Sequence, residues 1–96
     1  MSTVVIVTFC VKPASIVSFI DILKSVQENL PRVEGCERVE IYRTAEETGV
    51  FTLVEHWQSK KVHQSHIDRI VAAGDWDKIK EHLLKEPKSR YFTPLN

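Results

Sequence analysis

Residues 4–11 read Val-Val-Ile-Val-Thr-Phe-Cys-Val, a β-branched and aromatic run that is apolar at both parities, which predicts a strand with neither face open to water. Lys12-Pro13-Ala14 breaks it. Ser15 is placed to cap a helix whose apolar residues Ile16, Phe19, Ile20, Leu23, Val26 and Leu30 recur at helical spacing, and Pro31 and Gly35 close that helix. Cys36 to Arg43 then alternates, with Val39 and Ile41 on one face and Arg38, Glu40 and Tyr42 on the other. Thr44 to Gly49 is a polar turn into a third strand, Val50 to Trp57, so the two strands form a hairpin. Ser59 caps a second helix ended by Gly74, Asp75 caps a short third one using Trp76, Ile79 and Leu83, and Pro87 precedes a last strand from Ser89 to Leu95.

The order β-α-β-β-α-α-β predicts an α+β fold of the ferredoxin-like split βαβ kind, one domain spanning residues 1–96 with a four-stranded antiparallel sheet and its helices on one face. Helices can cover only one side of such a sheet, yet the first strand is apolar on both. A second layer is therefore missing from the chain. A second copy, packed sheet to sheet about a two-fold axis, supplies it at least cost.

Composition narrows the function. Thirteen basic residues balance thirteen acidic ones, so no net field recruits nucleic acid or an acidic membrane. Locally basic segments, Lys60-Lys61 and Lys78 to Arg90, are interleaved with or flanked by acidic residues, as in a solvated helix face. Cys10 and Cys36 are too few for a disulfide framework and read as buried thiols. The N-terminal apolar run is too short for a membrane span and lacks the marks of a signal peptide, so a soluble cytoplasmic protein is expected. With only three glycines the chain carries no phosphate loop and no dinucleotide fingerprint, and it has no nucleophile elbow. No nucleotide, flavin or metal cofactor is expected.

The candidate chemistry lies around Val54-Glu55-His56-Trp57-Gln58-Ser59 and the helix that follows. At about 100° per residue, Val62, His63, His66, Ile70 and Ala73 share one arc, with His66 near its middle. A buried imidazole tends to stay neutral, and so serves either as a base near pH 7 or as a core residue bonded to a carbonyl. Trp57 shares its strand face with Leu53 and Glu55; it is either a core plug or the wall of a site for a planar aromatic ligand. His63 and His66, three apart, resemble a pair of metal ligands, but no acidic or Cys cluster completes a set. His82 falls among Lys and Glu on the third helix and is expected in solvent.

Five motifs in order, Val11-Lys12-Pro13, Glu34-Gly35-Cys36, Val54 to Ser59, His66 nine positions after Trp57, and Tyr91 to Pro94, make the whole chain resemble the antibiotic biosynthesis monooxygenase domain family, whose members include small quinol monooxygenases. The resemblance implies a dimeric α/β barrel that oxidises electron-rich phenols, quinols or anthrones with molecular oxygen, using no metal or flavin. It implies a deprotonated substrate that itself donates electrons to oxygen, inside a dry pocket that supplies a base and holds the anion. His66 and Trp57 are then the candidate catalytic residues, with His63, Leu53 and Thr8 as candidate substrate contacts. The polyketide-oxidising branch carries an Asn four residues before the matching Trp and a Tyr six after it, where this chain has Leu53 and His63. The heme-degrading branch uses an Asn and a His where this chain has Ile6 and, nearby, Trp76. The segment Asp68 to Asp75 is about one turn longer than the family's. Two other functions suit the same fold: an isomerase of a small hydroxyketone, and a non-catalytic dimeric binding or stress-response module.

Overall fold

The computed structural model describes residues 2–95. Four strands, β1 (Thr3–Cys10), β2 (Cys36–Arg43), β3 (Val50–Trp57) and β4 (Lys88–Phe92), form one sheet in the order β2-β3-β1-β4. Every neighbouring pair is antiparallel, and the register runs from Thr3 opposite Trp57 to Cys10 opposite Val50. Helices α1 (Ile16–Asn29), α2 (Lys60–Ala72) and α3 (Asp75–Lys80) cover one face. The chain is thus the α+β, ferredoxin-like arrangement that the order of elements predicts.

Strand parity decides what lies beneath the helices. Val5, Val7 and Phe9 of β1 and Phe51, Leu53, Glu55 and Trp57 of β3 are buried on the helical side, where Phe19 of α1 packs with its ring centroid 5.4 Å from that of Phe9 and 6.1 Å from that of Phe51. The alternate residues Val4, Ile6, Thr8 and Cys10, with Val50, Thr52, Val54 and His56, are half-buried on the other face, which no helix covers. Cys10 is therefore not the buried thiol expected of it. Cys36, on the helical side, is buried. On the open face Glu40 accepts hydrogen bonds from Arg38 and Tyr42, both at 2.9 Å, and lies 3.2 Å from His56 Nε2. Those bonds, Arg38's first, hold its carboxyl down to about 2.

Several element ends differ from expectation for local reasons. A 3₁₀ turn at Pro13–Ser15 leads into α1, and Ser15 makes no side-chain cap. Ser59 does cap α2, its Oγ accepting from Val62 N at 3.2 Å. Gly74, at φ 82°, precedes α3, so Asp75 is that helix's first residue rather than its cap. Leu83 lies beyond α3, bridged to Val11 and buried. His82 also lies beyond α3; it is half-buried, its ring 6.2 Å from Phe19. β4 begins at Lys88 and stops at Phe92, short of Pro94, which has no N–H to give a ladder. Among the described residues no helix is long and apolar enough to cross a membrane.

Candidate active site

Gly35 sets the geometry at the end of β3. It adopts φ 90°, a side chain on it would run into Val62 of α2, and its carbonyl accepts from Gln58 N at 2.9 Å. The first turn of α2 is thereby pinned against the start of β2, directly after Trp57. Helix α2 then passes over the sheet with His63 on its inner side.

Between the sheet and the three helices lies a cavity of about 590 Å³, within the usual size of a small-molecule site. Val7, Phe9, Phe19, Leu53, Ile67 and Ile79 give it an apolar lining, and Glu55, His63, His66 and Tyr91 bring polar atoms to its wall. Glu55 and His63 are only 6% and 4% exposed. Trp57 Nε1 donates to Glu55 Oε1 at 2.7 Å, and His63 Nε2 lies 3.9 Å from that same oxygen, beyond hydrogen-bonding distance. On its other side, His63 Nδ1 lies 2.8 Å from the Tyr91 hydroxyl, which also accepts from Gln64 Nε2 at 2.7 Å. A row of polar groups, Trp57, Glu55, His63, Tyr91 and Gln64, thus runs from the core to the surface, hydrogen-bonded at every step but the one between Glu55 and His63.

The candidates named from the sequence fall differently on this frame. His63, Leu53 and His66 line the cavity, but His63 is the buried histidine and His66 only half-buried. Trp57 is completely buried and is not among the lining residues; its ring stands behind His63 and His66, at centroid distances of 5.3 and 5.2 Å. Its indole N–H meets the Glu55 carboxyl and not the cavity. Thr8 points to the opposite face of the sheet, its hydroxyl 3.4 Å from that of Thr52, because its parity is that of Val4 and Ile6. Glu55 and Tyr91 are the two groups not singled out. A carboxylate at a buried parity of an apolar strand is the available sign for Glu55; Tyr91 stands in the sequence only as the start of the Tyr91 to Pro94 motif, with no role attached.

Burial pushes the Glu55 carboxyl up, against the lowering effect of the Trp57 hydrogen bond. It pushes His63 down to about 4, helped by the neighbouring His66, and His66 is lowered by burial and by Arg69. Cys36 is pushed up to about 11, first by burial and then by the charge of Glu55, so it stays a thiol at neutral pH. At pH 7 the site therefore holds neutral imidazoles beside a carboxyl that is basic for its kind. Among the described residues no group of three or more His, Cys, Asp or Glu is placed to hold a metal ion.

This titration has a sign that can be measured. Between the ordinary His value of 6.5 and about 4, the unfolded chain takes up a proton that folded His63 refuses, so stability falls as pH falls through that window. His63 alone should cost about 1 to 2 kcal/mol between pH 7 and pH 5, less than the full shift because pH 5 still lies above its folded value. Glu55 opposes this, since its raised pKa adds stability at low pH that is lost as pH rises through its folded value. Denaturant melts across pH 4 to 8 should therefore show a shallower acid limb in His63→Gln than in the parent protein. Parallel limbs would show that His63 titrates normally in the fold.

The chain belongs to the antibiotic biosynthesis monooxygenase family, whose model matches residues 2–69. A search of curated proteins finds no match. Among solved structures, a conserved protein from Methanosarcina mazei Go1 is similar at 24% identity and TM-score 0.84, over 96% of this chain and 91% of that one. Rv0793 from Mycobacterium tuberculosis is similar at 19% identity and TM-score 0.86, over 100% of this chain and 97% of its own. A Nitrosomonas europaea protein assigned as an antibiotic biosynthesis monooxygenase is similar at 21% identity and TM-score 0.84, over 98% and 99% of the two chains. At such identities the likeness shows the fold alone.

Proposed function

We propose that the protein is a cofactor-independent monooxygenase that oxidises a small electron-rich aromatic, a quinol, phenol or anthrone, with molecular oxygen. The observation that carries this reading is the placement of a buried carboxyl and a neutral imidazole, Glu55 and His63, in the wall of an otherwise apolar cavity. Ionised Glu55 accepts the proton of a substrate hydroxyl or acidic C–H. The resulting anion is the electron donor. Oxygen accepts four electrons in all, one of its atoms entering the product and the other leaving as water, so that a quinol and O₂ give a hydroxyquinone and H₂O. The apolar lining excludes water and strengthens each electrostatic contact with the anion. His66, at the same wall, is a second candidate for the proton acceptor.

Oxygen uptake with reduced naphthoquinols, anthrones and catechols, with no cofactor added, tests this. Uptake should accompany turnover, with one atom of ¹⁸O₂ in the product. The same carboxyl and imidazole would also shuttle a proton during enolisation, which favours a second reading, isomerisation of a small hydroxyketone. Turnover that consumes no oxygen would select that reading. No turnover of either kind would leave a dimeric binding module.

The proposal includes a homodimer formed through the open face of the sheet, where Val4, Ile6, Val50 and Val54 have no covering helix. Sedimentation at low micromolar concentration should give about twice the chain mass, and Ile6→Lys should halve it. A folded parent chain that sediments as a monomer would end this part of the proposal. Free Cys10 and Cys36 thiols suit a reducing compartment, the cytoplasm.

A further inference from the structure

Tyr91 takes no part in the oxidation as just written, yet its hydroxyl joins His63 to the surface residue Gln64. A phenol has one proton to give and lone pairs to receive with. Gln64 Nε2 can only donate, so it occupies a lone pair of the Tyr91 oxygen at 2.7 Å. The phenol's own proton is then free to point at His63 Nδ1, 2.8 Å away. An imidazole that accepts at Nδ1 and remains neutral carries its single proton on Nε2. Nε2 is the nitrogen turned toward Glu55 Oε1, at 3.9 Å. The Lys60 ammonium, 4.8 Å from the centroid of the Tyr91 ring, holds that ring from its outer side.

We propose that Tyr91, held by Gln64, is a positioning residue that fixes His63 in its Nε2–H form, so that His63 donates a hydrogen bond to the oxyanion left when Glu55 removes the substrate's proton. This rests on the proposed oxidation for its purpose, though not for its geometry. Two neighbouring groups are thereby given different work. The carboxylate accepts the proton, and the imidazole meets the charge that the proton leaves behind. In the opposite tautomer a lone pair on Nε2 would face the anion and repel it, and with the ring turned over Nε2 would no longer face it at all. A positioned donor of this kind is worth roughly 10² to 10³ in rate when removed outright. Losing only the group that orients it should cost less, because His63 still spends part of its time correctly disposed.

¹⁵N NMR of the labelled protein at pH 7 tests the tautomer directly, and Tyr91→Phe and Gln64→Leu test its cause. In the parent protein His63 should show an unprotonated Nδ1 and a protonated Nε2. Tyr91→Phe should move both resonances toward an averaged or mixed form, and Gln64→Leu should do so in part, because the freed lone pair lets the hydroxyl accept from Nδ1–H. Gln64 is exposed, so that variant keeps the test open even where Tyr91→Phe folds poorly. With an oxidisable quinol, Tyr91→Phe should lower kcat roughly ten-fold with KM little changed, the split expected when a transition-state contact is misaligned. A protonated Nδ1 in the parent protein, or resonances unmoved in both variants, would overturn the proposal. The tautomer persisting in a protein that oxidises no naphthoquinol, anthrone or catechol would instead refute the oxygenase reading and leave the positioning intact.

Discussion

Glu55→Gln should lower turnover of an oxidisable quinol by roughly 10² to 10⁴-fold, the range for a positioned proton-transfer group, while leaving the protein folded. Gln has nearly the shape of Glu and keeps an oxygen for Trp57 Nε1, which donates to Glu55 at 2.7 Å. What it loses is the ability to take a proton. Because burial raises the Glu55 pKa, the ionised carboxylate is a costly state in the fold, and a neutral amide there should hold or slightly raise stability near pH 7. Rate and stability should therefore move independently. Oxygen uptake per folded protein, measured beside denaturant melts, separates the two. If turnover survives in Glu55→Gln, the base lies elsewhere, and His66→Ala becomes the decisive variant, since His66 is the remaining imidazole on the same cavity wall.

The fold was largely legible because each strand carried its own marks. Alternation in Cys36 to Arg43 and the polar turn before Val50 locate the hairpin, and parity puts Leu53, Glu55 and Trp57 on one face, which in the structure is the side that the helices cover. The first strand was apolar at both parities, and this same feature hid which parity faced the helices. Thr8 was misplaced for that reason. The histidines were legible as a pair but not in rank. An arc drawn on a helix centres the apolar residues of that helix and is blind to its neighbours; packing of Val62 onto Gly35 turns the first turn inward, so His63 is buried and His66 stands half-open over the cavity. Tyr91 is visible in the sequence as part of a motif, but its place at the site is not, because its bond to His63 joins residues 28 apart in the chain through the pairing of β4 with β1. The sequence allows two readings of Trp57, core plug or ligand wall. Its complete burial supports the first, and its hydrogen bond to Glu55 adds a duty that neither reading contained.

Trp57→Ala should be the most destabilising single substitution in the site, by about 4 kcal/mol or more. Truncating a buried aromatic ring costs roughly 3 to 5 kcal/mol through lost transfer energy and the cavity left behind, and Trp57 is among the largest side chains that are fully buried. The loss does not stop at volume. Trp57 Nε1 is the donor to the buried Glu55 carboxyl, and an unpartnered buried carboxyl costs about 1 to 3 kcal/mol more unless it takes up a proton. A protein of this length has roughly 5 to 15 kcal/mol of stability in total, so the melting temperature should fall by about 15 to 30 °C at fixed protein concentration. Trp57→Phe separates packing from hydrogen bonding. It keeps most of the apolar contact with the rings of His63 and His66 while removing the N–H, so the Glu55 pKa should climb further and the pH at which turnover rises should shift upward with it. If the ring is only a plug, Trp57→Phe will lose a little stability and leave that pH unchanged. If Trp57 holds the carboxylate ready for its proton, the pH profile will move even where the melting temperature does not.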